Sequence, residues 1–567
     1  MWVFAGVDEL AQLSIAGGVI LFAEIILLAA LEILFDNKFA AVPNSLIIID
    51  SFVSLAFISA SRFSIRLLKR ARERFLLQSE GVSVVIAGAG NAGIQVVSEI
   101  QKNPRLMMNP VGFIDDDLSK LKLQIRGLQV LGDRRSLVHV KKNYGVKKVI
   151  VAMPTAPGDV IRDIIQKCDE LQLEVLTLPG ISDLIGGKVT INRLRSVKIE
   201  DLLRRDVVET DLERIRQMLN GKVVLITGAG GSIGAELCRQ VLTGVPSKII
   251  LFGHGENSVF EIEQELLLRI SRQQTYQNPK TEIVSKIADI KNIATLELIF
   301  KTFRPAYVFH AAAHKHVPLM ESNHLEAIWN NVIGTKNLIE ASIKYDAEKF
   351  ILISTDKAVN PTSIMGGSKR IAEMLTLAAA RKYKRKFALV RFGNVLGSRG
   401  SVIRTFSTQL ENGGPITITH PEIKRYFMTI PEAVKLVLES FFLCNGGEAF
   451  VLDMGEPVKI VDLAKDMIRL AGLQEDSDIR IQFTGLRPGE KLFEELFNDG
   501  ENYSKTSHQK ILIAQNASEF VHEQLISWVQ RFENYSPNWT HAELVNAIRE
   551  IIPEFANETH LRENNPK

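Results

Sequence analysis

A hydroxyl, a carboxyl and an amine follow one another at Thr355, Asp356 and Lys357, directly after the apolar run KFILIS. Side chains at the end of such a strand emerge at the carboxyl edge of a sheet, where open α/β sheets bind their ligands. There a carboxyl can give a proton, and a lysine can take one if burial or a neighbouring positive charge keeps its amine partly neutral. Taken alone, the run reads equally well as a helix cap with a solvated charge pair. Met365 and Lys369 come next, one helical turn apart and therefore on one face. Lys369 is a source of the positive charge that Lys357 needs, whereas the Met365 thioether cannot usefully accept and pass on a proton.

Two glycine-rich loops precede these residues. In VSVVIAGAGNAGIQVVSEI a β-branched run leads into Gly88, Gly90 and Gly93 and then into a helical pattern, the G-x-G-x-x-G arrangement that brings backbone close to a diphosphate. Asp115 stands some twenty residues on, and the alternation continues to about residue 200, giving a small doubly wound α/β domain that is either nucleotide-binding or vestigial and regulatory. The second loop, VVLITGAGGSIG, runs from Thr227 through Gly228, Gly231, Ser232 and Ile233 to Gly234. The strand after it, KIILFG, ends at Gly253 and His254, where an acidic residue would ordinarily hold the ribose 2′-hydroxyl of NAD. Without that acid, NADP is as plausible as NAD. Asp289 and Ile290 in IADI mark the next strand end, and VFHAAAHKHVPLMES places Ala311, Ala312, Lys315 and His316 at the end of a fourth.

The chain has 567 residues, 46% apolar and 23% charged, with a net charge of +3. This is the composition of a multidomain globular protein, with no excess of base for nucleic acid. Three scattered cysteines, Cys168, Cys238 and Cys444, offer neither zinc-site spacing nor an expected disulfide, so no metal is expected. From Leu13 to Phe35 the chain is apolar over 23 residues except for Ser14, Glu24 and Glu32, long enough for a ~30 Å hydrocarbon layer. A second, shorter stretch begins at Ser45. Six basic residues between Arg62 and Arg74 then fit the cytoplasmic side of a bilayer.

TGAGGSIG, AAAHKHVPLMES, STDKAVNPTSIMGGSKR, RFGNVLGSRGSV, THPEIKRYFMTIPEA and GLRPGEKLFEEL, in this order, resemble the membrane-bound nucleotide-sugar 4,6-dehydratases of bacterial polysaccharide and glycan synthesis. These are extended short-chain dehydrogenase/reductases. The resemblance implies an α/β fold: one or two membrane spans and a basic linker (1–75), a small Rossmann-like domain (76–205), a doubly wound parallel-sheet catalytic domain (206–510) and a helical cap (511–567). Relatives usually carry about four membrane helices, and MWVFAGVDEL resembles the segment after their second.

The resemblance further implies tightly held NAD or NADP, bound by the Thr227–Gly234 loop, His254, Asp289, Ile290, Ala311, Ala312 and Lys369, and recycled within each turnover. The implied substrate is a UDP-sugar, UDP-N-acetylglucosamine in most relatives, contacted by Lys315, His316, Asn394, Arg425, Arg487 and Glu490. Asp356 is implied as the acid for the C6 hydroxyl and Lys357 as the base at C5. Met365 stands where smaller relatives have a tyrosine base, leaving Asp356, or a water ordered by Thr355 and Lys369, to take the O4 proton. A homo-oligomer at the inner membrane with cytoplasmic catalytic domains is expected. The competing outcomes are a C4 epimerase, a C5-inverting dehydratase and a catalytically silent membrane scaffold.

Overall fold

A computed structural model describes residues 81–178, 194–203, 212–273, 281–498, 501–515, 522–534 and 539–556, with scattered positions between 19 and 57. Apart from those positions, the expected membrane segments lie outside the described residues. Among the described residues no helix is long and apolar enough to cross a membrane, so the described fold is the α/β part of the expectation. The chain divides into two compact units, the larger taking up the sequence from Val197 onward.

In the smaller unit a seven-stranded sheet is centred on Val82–Ala87, flanked by Met108–Ile114 and Lys148–Val151 in parallel, with antiparallel pairs only at its two edges. Gly88 has φ +104°, and a Cβ at Gly93 would lie 2.0 Å from the Gly88 carbonyl oxygen, so both positions require glycine. Asp115 turns onto the loop itself. Its carboxylate accepts the Ala89 N–H at 2.8 Å and pairs with Lys120 at 3.1 Å.

The larger unit is built on β1 (Val223–Thr227), β2 (Lys248–Gly253), β3 (Glu282–Ile287), β4 (Tyr307–His310), β5 (Lys349–Ile353), β6 (Lys386–Arg391), β7 (Ala449–Leu452), β8 (Asn502–Lys505) and β9 (Ile511–Gln515). The order across the sheet is β3-β2-β1-β4-β5-β6-β7-β9-β8. Every pairing from β3 to β7 is parallel, and β9 and β8 close the edge antiparallel. Strands covered on both faces must be apolar throughout, which is why β1 and β5 read as VVLIT and KFILI with almost every residue buried. The chain reverses direction across the sheet between β1 and β4, opening a crevice at their carboxyl ends.

Two helices frame that crevice. The first, α1 (Ser232–Thr243), follows the glycine loop; the second, α2 (Ile364–Tyr383), is buried along most of its length. Ser363 caps α2 by accepting the Gly366 N–H, and Glu321 accepts the Ile364 N–H at 2.7 Å, so the start of the helix is held twice. The C-terminal helices His522–Asn534 and His541–Ile551 belong to the same apolar core, and Ile548 and Phe555 press on α2 at Gly367.

Candidate active site

The turn after β1 brings backbone closest to the crevice. Gly228 has φ +67°, and a Cβ at Gly234 would lie 2.0 Å from the Gly228 carbonyl oxygen. Behind the loop, His310 at the end of β4 is buried between two threonines, 2.7 Å from Thr227 Oγ1 and 2.9 Å from Thr335 Oγ1. Thr335 spends its proton on the Asn331 carbonyl at 2.6 Å, so His310 Nε2–H donates to Thr335 and Nδ1 accepts from Thr227. Burial, with Lys369 adding, pushes His310 down to about 3, and the ring is a neutral strut.

Beside it, Trp329–Ile333 forms a π-helical turn, a distortion that recurs at functional sites. It points Asn331 at the loop after β4: Oδ1 accepts the His314 N–H at 2.8 Å, and Nδ2 donates to the His314 carbonyl and to Ser368 on α2, both at 3.0 Å. Nothing in the sequence marked Asn331, because a π turn has no residue signature.

At the end of β5, Asp356 is fully buried and Thr355 and Lys357 are half-buried. Asp356 Oδ1 accepts from Thr355 Oγ1 at 2.8 Å and from Lys357 Nζ at 2.9 Å. Its Oδ2 is buried with no hydrogen-bond partner. Lys357 Nζ also donates to Asn394 Oδ1 at 3.1 Å and lies 3.9 Å from Glu494 Oε1. The expectation of a partly neutral Lys357 is reversed here. Burial works to lower its pKa, but the Asp356 and Glu494 carboxylates outweigh burial and hold the ammonium above its ordinary value.

Lys369 is the lysine that burial shifts toward its neutral form. Its Nζ donates to the Ile353 carbonyl at 2.8 Å, and burial pushes it down to about 8, with only Glu373 opposing. Between about pH 8 and its unfolded value near 10.5, the folded chain binds fewer protons at Lys369 than the unfolded chain, so stability rises with pH across that window. Relative to a Lys369→Met variant, the parent protein is therefore expected to gain melting temperature from pH 8 to pH 10.5, measured by calorimetry.

A cavity of about 850 Å³ gathers most of the expected positions: Gly231, Ser232, Ile233, Gly234, His254, Ala311, Lys315, His316, Thr355, Lys357, Met365, Lys369, Asn394, Arg425, Arg487 and Glu490 all line it. Met365 and Lys369 share its wall, as helical spacing requires. Thr227, Gly228, Ala312 and Asp356 are not among its lining residues, although Asp356 bonds to Thr355 and Lys357, which are. Asp289 and Ile290 are likewise outside its lining. Asp289 pairs with Lys291 at 3.4 Å, and Ile290 is buried against Gly334.

Arg425 lines the cavity, and its guanidinium donates to the carbonyls of Lys424, Lys491 and Leu492, and so clamps the segment that carries Glu490 and Glu494. Arg487 is exposed, and among the described residues its guanidinium makes no hydrogen bond or ion pair, which leaves the fork open to a diphosphate.

Beneath the site lies a buried ion network. Arg391, fully buried on β6, makes a two-pronged contact to Glu373 on α2 at 2.9 and 2.7 Å and reaches Glu501 at 2.8 Å. Glu373 also accepts from Ser354 at 2.6 Å, the residue that precedes Thr355.

Compared with known proteins, residues 224–516, more than half of the chain, match the family described as polysaccharide biosynthesis protein, and residues 3–179 match the one described as CoA-binding domain. The chain is 45% identical over 514 residues to the capsular polysaccharide biosynthesis protein CapD of Staphylococcus aureus, covering 90% of this chain and 83% of that one. Over 291 residues it is 32% identical to a UDP-N-acetylglucosamine 4,6-dehydratase (inverting) of Campylobacter jejuni, covering 50% of this chain and 80% of that one. Over 294 residues it is 36% identical to a UDP-glucose 4-epimerase of Rickettsia rickettsii, again covering 50% and 80%.

Proposed function

The chain belongs to the polysaccharide biosynthesis protein family, and from that premise we propose that it is a nucleotide-sugar 4,6-dehydratase acting on UDP-N-acetylglucosamine. The observation that carries the reading is the Asp356–Lys357 pair, held 2.9 Å apart at the carboxyl edge of β5 with Lys357, Met365 and Lys369 on one cavity wall. An epimerase needs a group at O4 and none at C5. A dehydratase needs both, and Lys357 is the second.

The loop from Thr227 to Gly234 fits a dinucleotide, since it is closed so tightly on itself that Gly234 admits no side chain. NAD or NADP held by this loop would supply the hydride chemistry between sugar C4 and C6. The chain's residues supply the proton transfers. The Thr355 hydroxyl lines the cavity and donates to Asp356, so it can accept the O4 proton as it passes its own to the Asp356 carboxylate. Met365 is then not needed as a base. The proton stored on Asp356 returns along the same route to the C6 hydroxyl, which leaves as water. Lys357 takes the C5 proton, and Arg487 and Lys315 face the diphosphate.

Two expectations follow. Incubation with UDP-N-acetylglucosamine should give a product lighter by one water in the mass spectrum; an isomer of unchanged mass would favour the 4-epimerase reading, to which the Rickettsia relative lends weight. Gly234→Ala should purify with most of its dinucleotide lost, measured as nucleotide released on denaturation, and the mass of that nucleotide separates NAD from NADP.

The apolar run at Leu13 to Phe35 supports attachment to a lipid bilayer, as does the exposure of the helical residues Val19, Phe22 and Ile26 at 64%, 67% and 54%. Deleting residues 1–75 should move the protein from the membrane fraction to the supernatant.

A further inference from the structure

The dehydratase reading, on which this inference rests, sets Lys357 a task that its surroundings oppose. To take the C5 hydrogen it must be a free amine, yet two carboxylates hold it as an ammonium. Asp356 cannot relieve it, because in the O4 relay its carboxyl already holds the proton that Thr355 has passed on. The second carboxylate is Glu494, which no motif singled out. It is 8% exposed, its Oε1 lies 3.9 Å from Lys357 Nζ and 3.6 Å from Arg425 Nε, and its Oε2 is buried with no hydrogen-bond partner. A buried carboxyl oxygen without a donor costs about 1–3 kcal/mol, so its retention beside a reactive lysine calls for a use. Glu494 lines a smaller cavity of about 160 Å³ together with Lys357, Asn394, Arg425 and Arg487, which places it at the substrate side of the lysine.

We infer that Glu494 is a positioning residue that takes the Nζ proton of Lys357, so that Lys357 meets the sugar as a neutral amine. One Nζ–H bond breaks with its electron pair left on nitrogen, and one O–H bond forms on Glu494; the pair passes from ammonium and carboxylate to amine and acid with no change in net charge. The amine then bonds the C5 hydrogen, the C5–H electrons become the C5–C6 double bond, and the C6–O bond breaks. When C5 is reprotonated from Lys357, the proton on Glu494 returns to Nζ. No outside reductant or oxidant enters.

Closure of the cavity by a substrate favours this transfer, because loss of water penalises the charged pair and not the neutral one. Burial already pushes the Glu494 carboxyl above the usual range, with Asp356 adding and with Lys357, Arg425 and Lys491 opposing. Those four are the charged groups that face it. On its own segment Glu490 lies 3.6 Å from Arg425, and Glu495 pairs with Lys491 at 2.9 Å.

The test compares the full chain with Glu494→Gln and Glu494→Asp, with folding checked by circular dichroism. Water loss from UDP-N-acetylglucosamine is followed from about pH 6 to pH 10, and acetylation of Lys357 by acetic anhydride is followed over the same range by peptide mass spectrometry. In the parent, turnover should reach its plateau well below the pH at which Lys357 becomes labelled. In Glu494→Gln, which has no internal acceptor, turnover near pH 7 should fall about tenfold or more and climb with pH along the labelling curve. That curve should itself lie at lower pH than the parent's, since one anion has gone. Glu494→Asp should recover part of the neutral-pH rate. Loss by one factor at every pH, or no loss, would overturn the inference and leave the dehydratase reading standing. If the parent releases no water, that reading fails, and an unshifted Lys357 labelling curve in Glu494→Gln would then overturn the coupling between the two residues independently.

Discussion

Lys357→Ala is expected to lower the rate of water loss by about 10²–10⁴-fold while leaving nucleotide-sugar binding close to that of the parent. The reason is positional. Lys357 follows β5 at the carboxyl edge of the sheet, lines the cavity, and is the amine whose Nζ meets Asp356, Asn394 and Glu494. Among the described residues Lys369 is the other lysine on that wall close to β5, but its Nζ is spent on the Ile353 carbonyl. The contrasting substitution is Met365→Leu. Met365 is 2% exposed, and a swap that conserves volume costs less than about 1.5 kcal/mol. With O4 served by Thr355 and Asp356, this variant should keep most of its activity in the same mass-spectrometric assay. A Lys357→Ala protein with more than about a tenth of the parent rate would remove lysine from the C5 step, since one general base contributes about 10²-fold at the least.

The largest stability effect is expected at Arg391, away from the chemistry. Arg391→Met removes the nearer of the two cations that Glu373 and Glu501 share and leaves them Arg370 at 3.3 and 3.7 Å, so the cost is expected toward the lower end of the about 3–5 kcal/mol for breaking a buried ion pair from one side. Calorimetry on the full chain should show the larger unit melting several degrees earlier, with the smaller unit's transition unmoved. A change of less than about 1 kcal/mol would mean that water reaches the carboxylates and that the network is not closed. Because Glu373 also holds Ser354, the residue before Thr355, activity below the new melting temperature should fall as well.

The parts of this molecule that were legible in its sequence are those whose physics is local. Strands covered on both faces must be apolar, so VVLIT and KFILIS announce themselves, and a loop that returns on its own carbonyl must be glycine, as at Gly228 and Gly234. One helical turn puts Met365 and Lys369 on one wall whatever surrounds them.

What was not legible depends on distant parts of the chain. Glu494 sits in KLFEEL, where each charge looks solvated; only the clamp of Arg425 on the carbonyls of Lys491 and Leu492 buries it beside Lys357. The charge state of the two lysines was likewise out of reach, since it turns on which carboxylates the fold brings to which amine.

The reading stands or falls on whether one hydrogen moves within one sugar. UDP-N-acetylglucosamine carrying deuterium at C4 should yield a 4-keto-6-deoxy product with that deuterium on C6, located by proton NMR, and the product should retain it even in the presence of unlabelled substrate. Deuterium that remains at C4, or is lost to solvent while water is released, would contradict the internal hydride transfer on which every assigned role depends.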